Sequence, residues 1–172
     1  LGPGSQRPVR GDPRDDARHV EFVTRLESDH QVVLIAAGHR RDNIGAMRVC
    51  ESVEAAHSRI DDSGRIVEYL GAHGTPARLD SQCKYAVVAR GQAEVYLRLP
   101  TRRDYVEKIW DHAAGMIIAE EASAIVTDVL GRPLDFSKGT GLAANRGILC
   151  ASRAFHGRIR QAIASLALFK DD

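Results

Sequence analysis

The sequence predicts an α/β fold: a layered domain in which a sheet is covered by helices on both faces. Strand-like and helix-like segments alternate through most of the chain, which favours layered α/β packing. The strand candidates are apolar with little polar alternation, as expected of a sheet buried on both sides. A length of 172 residues matches one compact domain.

Residues 1–16 are rich in Gly, Pro, Arg and Asp and read as a flexible lead-in. Within it, Gly2-Pro3-Gly4-Ser5 has the composition of an expression-tag scar. Residues 17–172 read as a single α/β domain without internal repeats. Val20, Val23 and Leu26 are roughly in helical phase and predict a short helix over 17–29. The β-branched apolar run 31–37 predicts a strand ended by Gly38, and 38–45 is polar and turn-like. Residues 47–53 predict another strand. Asp61-Asp62-Ser63 then offers N-cap chemistry for a helix through Leu70, with Ile66, Val67 and Leu70 as its apolar stripe and Gly71 as its stop. Gly74-Thr75-Pro76 is a turn, and 77–79 a short strand.

Asp80-Ser81 reads as the cap of a second helix, continued by 84–89 and ended by Gly91. Residues 94–99 alternate toward a strand closed by Pro100. A helix opens near 109–111 and runs to about Glu121, with Ala113, Met116 and Ile117 in phase. A strand over 124–129, a Gly131-Arg132-Pro133 turn and a last strand over 147–151 follow. Phe155, Ile159, Ala162, Ile163 and Leu166 stripe the final helix.

Composition excludes some functions. With 24 basic and 23 acidic residues the formal net charge is +1, without the basic excess a general binder of nucleic acid polymers needs. The apolar runs, such as 32–37, are too short to span a bilayer, so no membrane role is expected. Cys50, Cys83 and Cys150 are odd in number and far apart. They suit neither a disulfide framework nor a metal-ligand motif, and with no signal-peptide pattern the expected setting is the cytoplasm.

Four segments carry candidate chemistry. In Leu79-Asp80-Ser81-Gln82-Cys83-Lys84-Tyr85, Ser81 stands where a helix should begin and Lys84 lies one turn on. A hydroxyl, an ammonium and free helix N–H groups suit a phosphate, although a plain cap with a solvated lysine is the commoner outcome of such spacing. Arg98, between leucines at the end of a strand, is either paired structurally or aimed at an anion. Asp111, in Trp110-Asp111-His112-Ala113-Ala114-Gly115, is either an acidic residue favoured by the helix dipole or an oxygen ligand for a hard cation such as Mg²⁺. The small Ala113, Ala114 and Gly115 admit close approach of another backbone or a substrate, while His112 points elsewhere, to the surface or behind the site. His57 is a loop imidazole that can stack on a purine, with a solvated histidine as the commoner case.

Taken in order, residues 51–58 (ESVEAAHS), 79–85 (LDSQCKY), 94–100 (EVYLRLP), 107–115 (EKIWDHAAG) and 127–137 (TDVLGRPLDFS) resemble the C-terminal half of the 3'(2'),5'-bisphosphate nucleotidases. These belong to the magnesium-dependent, lithium-sensitive phosphatase superfamily that includes inositol monophosphatase. The resemblance covers roughly residues 47–151 and implies a mixed sheet between helices. It also implies a phosphomonoesterase that converts 3'-phosphoadenosine 5'-phosphate to AMP by two-metal hydrolysis. Carried over, His57 flanks the adenine, Ser81 and Lys84 hold the remaining phosphate, Arg98 contributes to nucleotide binding, and Asp111 ligates Mg²⁺ beside the scissile phosphate. The family's other metal ligands lie in an Asp-x-x-Asp-Gly-Thr motif and a Glu of its N-terminal half, and this sequence has no Asp-Gly dipeptide. The chain is therefore expected to be the nucleotide-binding half of such an enzyme, its other half cut away or on a partner chain, and inactive alone. The alternatives are a non-catalytic adenosine-phosphate-binding module and an inositol phosphate phosphatase. Glu121-Ala122-Ser123-Ala124 replaces the family's Glu-Ala-Gly-Gly, which predicts a shifted turn.

Overall fold

A computed structural model describes residues 21–23, 34–36, 43–53, 58–102 and 104–169. The 1–16 lead-in and most of the helix expected over 17–29 lie outside these residues. Within that span, Glu21–Val23 is a strand (β1), paired antiparallel with Leu34–Ala36 (β2). The helical phase of three residues was thus a poor guide: β-branched and aromatic residues over 20–23 suit a hairpin strand equally well.

The main sheet has five strands. These are Val49–Glu51 (β3), Ala77–Arg78 (β4), Val95–Arg98 (β5), Ala124–Thr127 (β6) and Ile148–Ser152 (β7), in the order β4-β3-β5-β7-β6. β3 runs parallel to β4 and β5, whereas β7 is antiparallel to both β5 and β6, so the sheet is mixed. The helices are Ile60–Tyr69 (α1), Cys83–Ala89 (α2), Ala113–Glu121 (α3) and Arg153–Ser165 (α4).

The central strands β3, β5 and β7 are largely apolar on both faces because both are covered. Val49, Val95, Leu97, Leu149 and Ala151 pack with Ile66 of α1 and Phe155, Ile159 and Ile163 of α4. Their neighbours Cys50, Tyr96, Ile148 and Cys150 point the other way, toward Tyr85 and Val88 of α2 and Ala119 of α3. The period-2 alternation is therefore between two cores and not between core and solvent. Burial pushes the Cys50 thiol up to about 12 and raises Cys150 as well, so both are packing residues.

Several ends differ from the sequence expectation. α1 begins at Ile60 with Arg59 as its N-cap, so Asp61 and Asp62 sit inside the first turn, where the dipole favours them. Asp62 there pairs with Arg59 and Arg65. Residues 109–111 form a separate 3-10 turn, and α3 starts only after the backbone breaks at His112 (φ −134°, ψ −35°). Between α3 and β6, Ser123 holds a left-handed conformation at φ +62°, in place of the family's glycine. The buried Asp128 carboxylate organises the next turn by accepting from the N–H groups of Leu130, Arg132 and Arg146.

Candidate functional site

A cleft of about 470 Å³ opens where the parallel strands end. Ser52 follows β3, Asp80 and Ser81 follow β4, and Arg98 is the last residue of β5; all line it. Open α/β sheets bind ligands at the carboxyl ends of their parallel strands, because the loops leaving that edge converge there. The cleft gathers four of the five residues expected from the sequence: Ser81, Lys84, Arg98 and Asp111. His57 lies outside the described residues.

Ser81 does not cap a helix. α2 begins at Cys83, its N-cap is Gln82, and no side-chain cap bond is made there. Ser81 instead turns the chain left-handed (φ +64°), and its exposed Oγ accepts from the Cys83 N–H at 3.3 Å. Ser81 and Lys84 thus share the cleft but not a helical face. α2 has only seven residues, so the cations the cleft offers are the side chains of Lys84 and Arg98, set against Asp80 and Asp111.

Gln82 explains the arrangement. Its amide donates to the Trp110 carbonyl and accepts from the Gly115 N–H, both at 2.7 Å. One side chain thereby ties the α2 start to the segment carrying Asp111. Asp111 is exposed at the cleft rim. The small residue at 115 admits a side chain of this same chain: a Cβ there would lie 2.8 Å from Tyr85 Cγ. This departs from the expected approach of another backbone or a substrate.

Lys84 is only 4% exposed. Its Nζ donates to the Leu79 carbonyl at 3.3 Å and lies 5.4 Å from the centroid of the Tyr96 ring. No carboxylate pairs with it among the described residues. Burial holds its ammonium below the ordinary lysine range, with the nearby Arg98 charge adding to the effect. A buried cation satisfied by one carbonyl and a ring face attracts an anion entering the cleft.

Arg98 is paired structurally while still lining the cleft. Its guanidinium, 15% exposed, donates from Nε to the Glu107 carboxylate at 2.8 Å and from an Nη to Tyr105 Oη at 3.2 Å. Glu107 also meets His112 Nε2 at 3.1 Å, and His112 Nδ1 meets Tyr85 Oη at 2.9 Å. A chain of polar contacts thus runs from the cleft wall into the α2–α3 core. His112 is 1% exposed, which corrects the surface placement considered for it. Burial opposes the charge on Glu107, but the His112 hydrogen bond and the Arg98 guanidinium hold its carboxyl below the usual range. Burial likewise opposes the Arg98 charge, and the Glu107 carboxylate more than offsets it.

Sequence reasoning assigned no role to Glu107, Tyr85 or Gln82. All three lie inside the quoted elements, yet their spacing forms no local pattern; only the α2–α3 packing brings them together.

The cleft offers few donors for a metal. Asp111 contributes one hard oxygen at the rim, and Asp80, the other acid in the cleft, already accepts from Ser52 Oγ at 3.2 Å. Among the described residues no three His, Cys, Asp or Glu side chains converge on a point. These residues do not by themselves fit a two-metal centre, which needs several oxygen ligands.

The mixed five-stranded sheet, with a cleft at the carboxyl ends of its parallel strands, defines a layered α/β domain. The chain belongs to the inositol monophosphatase family, whose model matches residues 19–167. Members of this family are generally metal-dependent. A 3'(2'),5'-bisphosphate nucleotidase of Emericella nidulans is 50% identical over 114 residues, which are 66% of this chain and 32% of that protein. One of Schizosaccharomyces pombe is 42% identical over 130 residues, 74% of this chain and 37% of that protein. The chain thus spans about a third of the length of these relatives. Among solved structures, an IMPase from Thermotoga maritima superposes with a TM-score of 0.55 at 17% identity, covering 76% of this chain and 45% of its own. A 2'AMP-bound SaIMPase-II does so with 0.53 at 19%, covering 76% and 48%. These likenesses establish the fold. Among the described residues no helix is long and apolar enough to cross a membrane.

Proposed function

We propose that this chain forms the nucleotide-holding part of a phosphomonoesterase of the 3'(2'),5'-bisphosphate nucleotidase type, acting on 3'-phosphoadenosine 5'-phosphate. The observation that carries the reading is Lys84: a buried ammonium that forms no ion pair among the described residues, in a cleft that also presents Arg98 and the Ser81 hydroxyl. Ammonium, guanidinium and hydroxyl together suit a phosphate group. That the relatives at 42–50% identity are 3'(2'),5'-bisphosphate nucleotidases supports the substrate class.

In this reading Ser81 and Lys84 hold the phosphate that is retained, and Arg98, fixed by Glu107, orients the nucleotide. His57 flanks the adenine. Asp111 is the ligand this chain offers to Mg²⁺, which would polarise the scissile phosphate. The described residues supply no complete coordination set, so no hydrolytic step is assigned to them. The unpaired thiols of Cys50 and Cys150 fit a cytoplasmic setting.

Calorimetric titration of adenosine 3',5'-bisphosphate, with released phosphate followed in parallel, tests the reading. Saturable binding weakened by Lys84→Ala and Arg98→Ala supports it. Binding without phosphate release is the result expected of this chain alone, whereas a lack of hydrolysis even with a partner chain carrying the Asp-x-x-Asp-Gly-Thr motif favours a non-catalytic nucleotide-binding module. Preference for an inositol phosphate over the nucleotide contradicts the substrate.

A further inference from the structure

A second pocket, of about 220 Å³, lies at the same end of the sheet. It opens on the side packed by α1 and α4, and shares no lining residue with the cleft. Among the described residues three arginines face it: Arg59 before α1, Arg102 after β5 and Arg146 before β7. Leu168 and Phe169, beyond α4, close the apolar side. The carboxyl end of β5 feeds both cavities, Arg98 into the cleft and Pro100 to Arg102 into this pocket.

The arginines are not equally neutralised. Arg59 shares the single carboxylate of Asp62 with Arg65. Arg102 pairs with Asp104, an exposed and easily screened contact. Arg146 has no carboxylate on its guanidinium among the described residues. The guanidinium lies 5.4 Å from the Phe169 ring centroid, and its buried Nε has no hydrogen-bond acceptor. Asp128 takes the Arg146 backbone N–H, but its carboxylate is engaged by the Arg132 guanidinium. The side chains of Arg59, Arg65, Arg102 and Arg146 bring four positive charges against two negative ones from Asp62 and Asp104. A guanidinium with an orphaned Nε, lying over an aromatic ring and flanked by two more guanidinium groups, matches the planar, forked recognition of an oxyanion.

We propose that this pocket is a second anion site, for a tetrahedral oxyanion such as a phosphate group, with Arg146 as its principal ligand and Arg59 and Arg102 as supports. It does not depend on the reading of the cleft, because the two share no residue among those described.

The test is titration of inorganic phosphate into the full chain, followed by the backbone amide resonances of Leu168 and Phe169 for this pocket and of Lys84 for the cleft. The Leu168 and Phe169 signals should shift saturably. Arg146→Gln should weaken that response at least tenfold while the Lys84 response keeps its affinity. Arg102→Gln, whose side chain is exposed and not part of the packing, should weaken it less and provides a second variant should Arg146→Gln unfold. Sulfate should compete and chloride should not. Leu168 and Phe169 resonances that stay still in phosphate, or shift equally in wild type and both variants, overturn the proposal. Equal displacement by chloride also overturns it, since that is screening and not a site.

Discussion

Arg98 Nε donates to the Glu107 carboxylate at 2.8 Å, and the pair joins the wall of the cleft to the buried core between α2 and α3. Glu107 is 3% exposed and holds His112 with its second oxygen. Removing the carboxylate leaves both a guanidinium and an imidazole short of an acceptor. Glu107→Ala is expected to cost about 3–5 kcal/mol, the range for breaking one partner out of a buried pair. Urea unfolding of the variant measures it.

The same carboxylate sets an acid limit. Its folded-state pKa is depressed, so its contribution is complete above the ordinary glutamate value of 4.5 and is lost as pH falls through the lower folded value. Chain stability should therefore decline below pH 4.5 with a component missing from Glu107→Gln. Melting temperatures of the two proteins across that range provide the comparison.

Lys84 should show a trade of stability against binding. Burial lowers its pKa, so the charged form weakens the fold below the depressed value, and the penalty fades as pH rises from there toward 10.5. Lys84→Met fills the same space without the charge. It is expected to gain up to about 1 kcal/mol at neutral pH, as apolar replacement of a buried charge often does. Its affinity for adenosine 3',5'-bisphosphate should fall by about tenfold or more, the value of a charge-assisted hydrogen bond. Thermal unfolding and calorimetry on one preparation read both effects.

Two small-residue positions carry opposite expectations. A Cβ at Gly115 meets the Tyr85 ring, with Cγ at 2.8 Å, and both α2 and α3 would have to move. Gly115→Ala should destabilise by about 1–3 kcal/mol, the usual cost of overpacking, and should also loosen the Gln82 bonds that hold the Asp111 segment. Ser123 sits at φ +62°, a region glycine occupies without strain. Ser123→Gly should gain up to about 1 kcal/mol, with relief of that strain opposed by the entropy of a freer unfolded chain. Chemical denaturation decides both signs.

The layered α/β class was legible because the central strands β3, β5 and β7 are largely apolar on both faces and two helices carry local stops, Gly71 and Gly91 at φ +66°. The ends were less legible. Ser81 and Asp80 carry good cap residues, yet Gln82 bonds across to Trp110 and Gly115, and α2 starts two residues after Ser81. Tertiary bonding overrode the local preference. Ser81, Lys84, Arg98 and Asp111 were legible as candidates because each stands beside a strand end or a helix start. Their support was not. Glu107, His112 and Tyr85 meet only after β5, α2 and α3 pack, and no sequence spacing encodes that meeting. The basic pocket was equally hidden, since Arg59, Arg102 and Arg146 come from three separate connections.

The most direct measurement is the calorimetric affinity of the chain for adenosine 3',5'-bisphosphate, compared with Lys84→Ala and Arg98→Ala. Saturable one-to-one binding that weakens by about 10- to 100-fold in each variant, with the fold intact, is the expected result. Unchanged affinity in both variants would show that the cleft off β3, β4 and β5 does not hold the nucleotide.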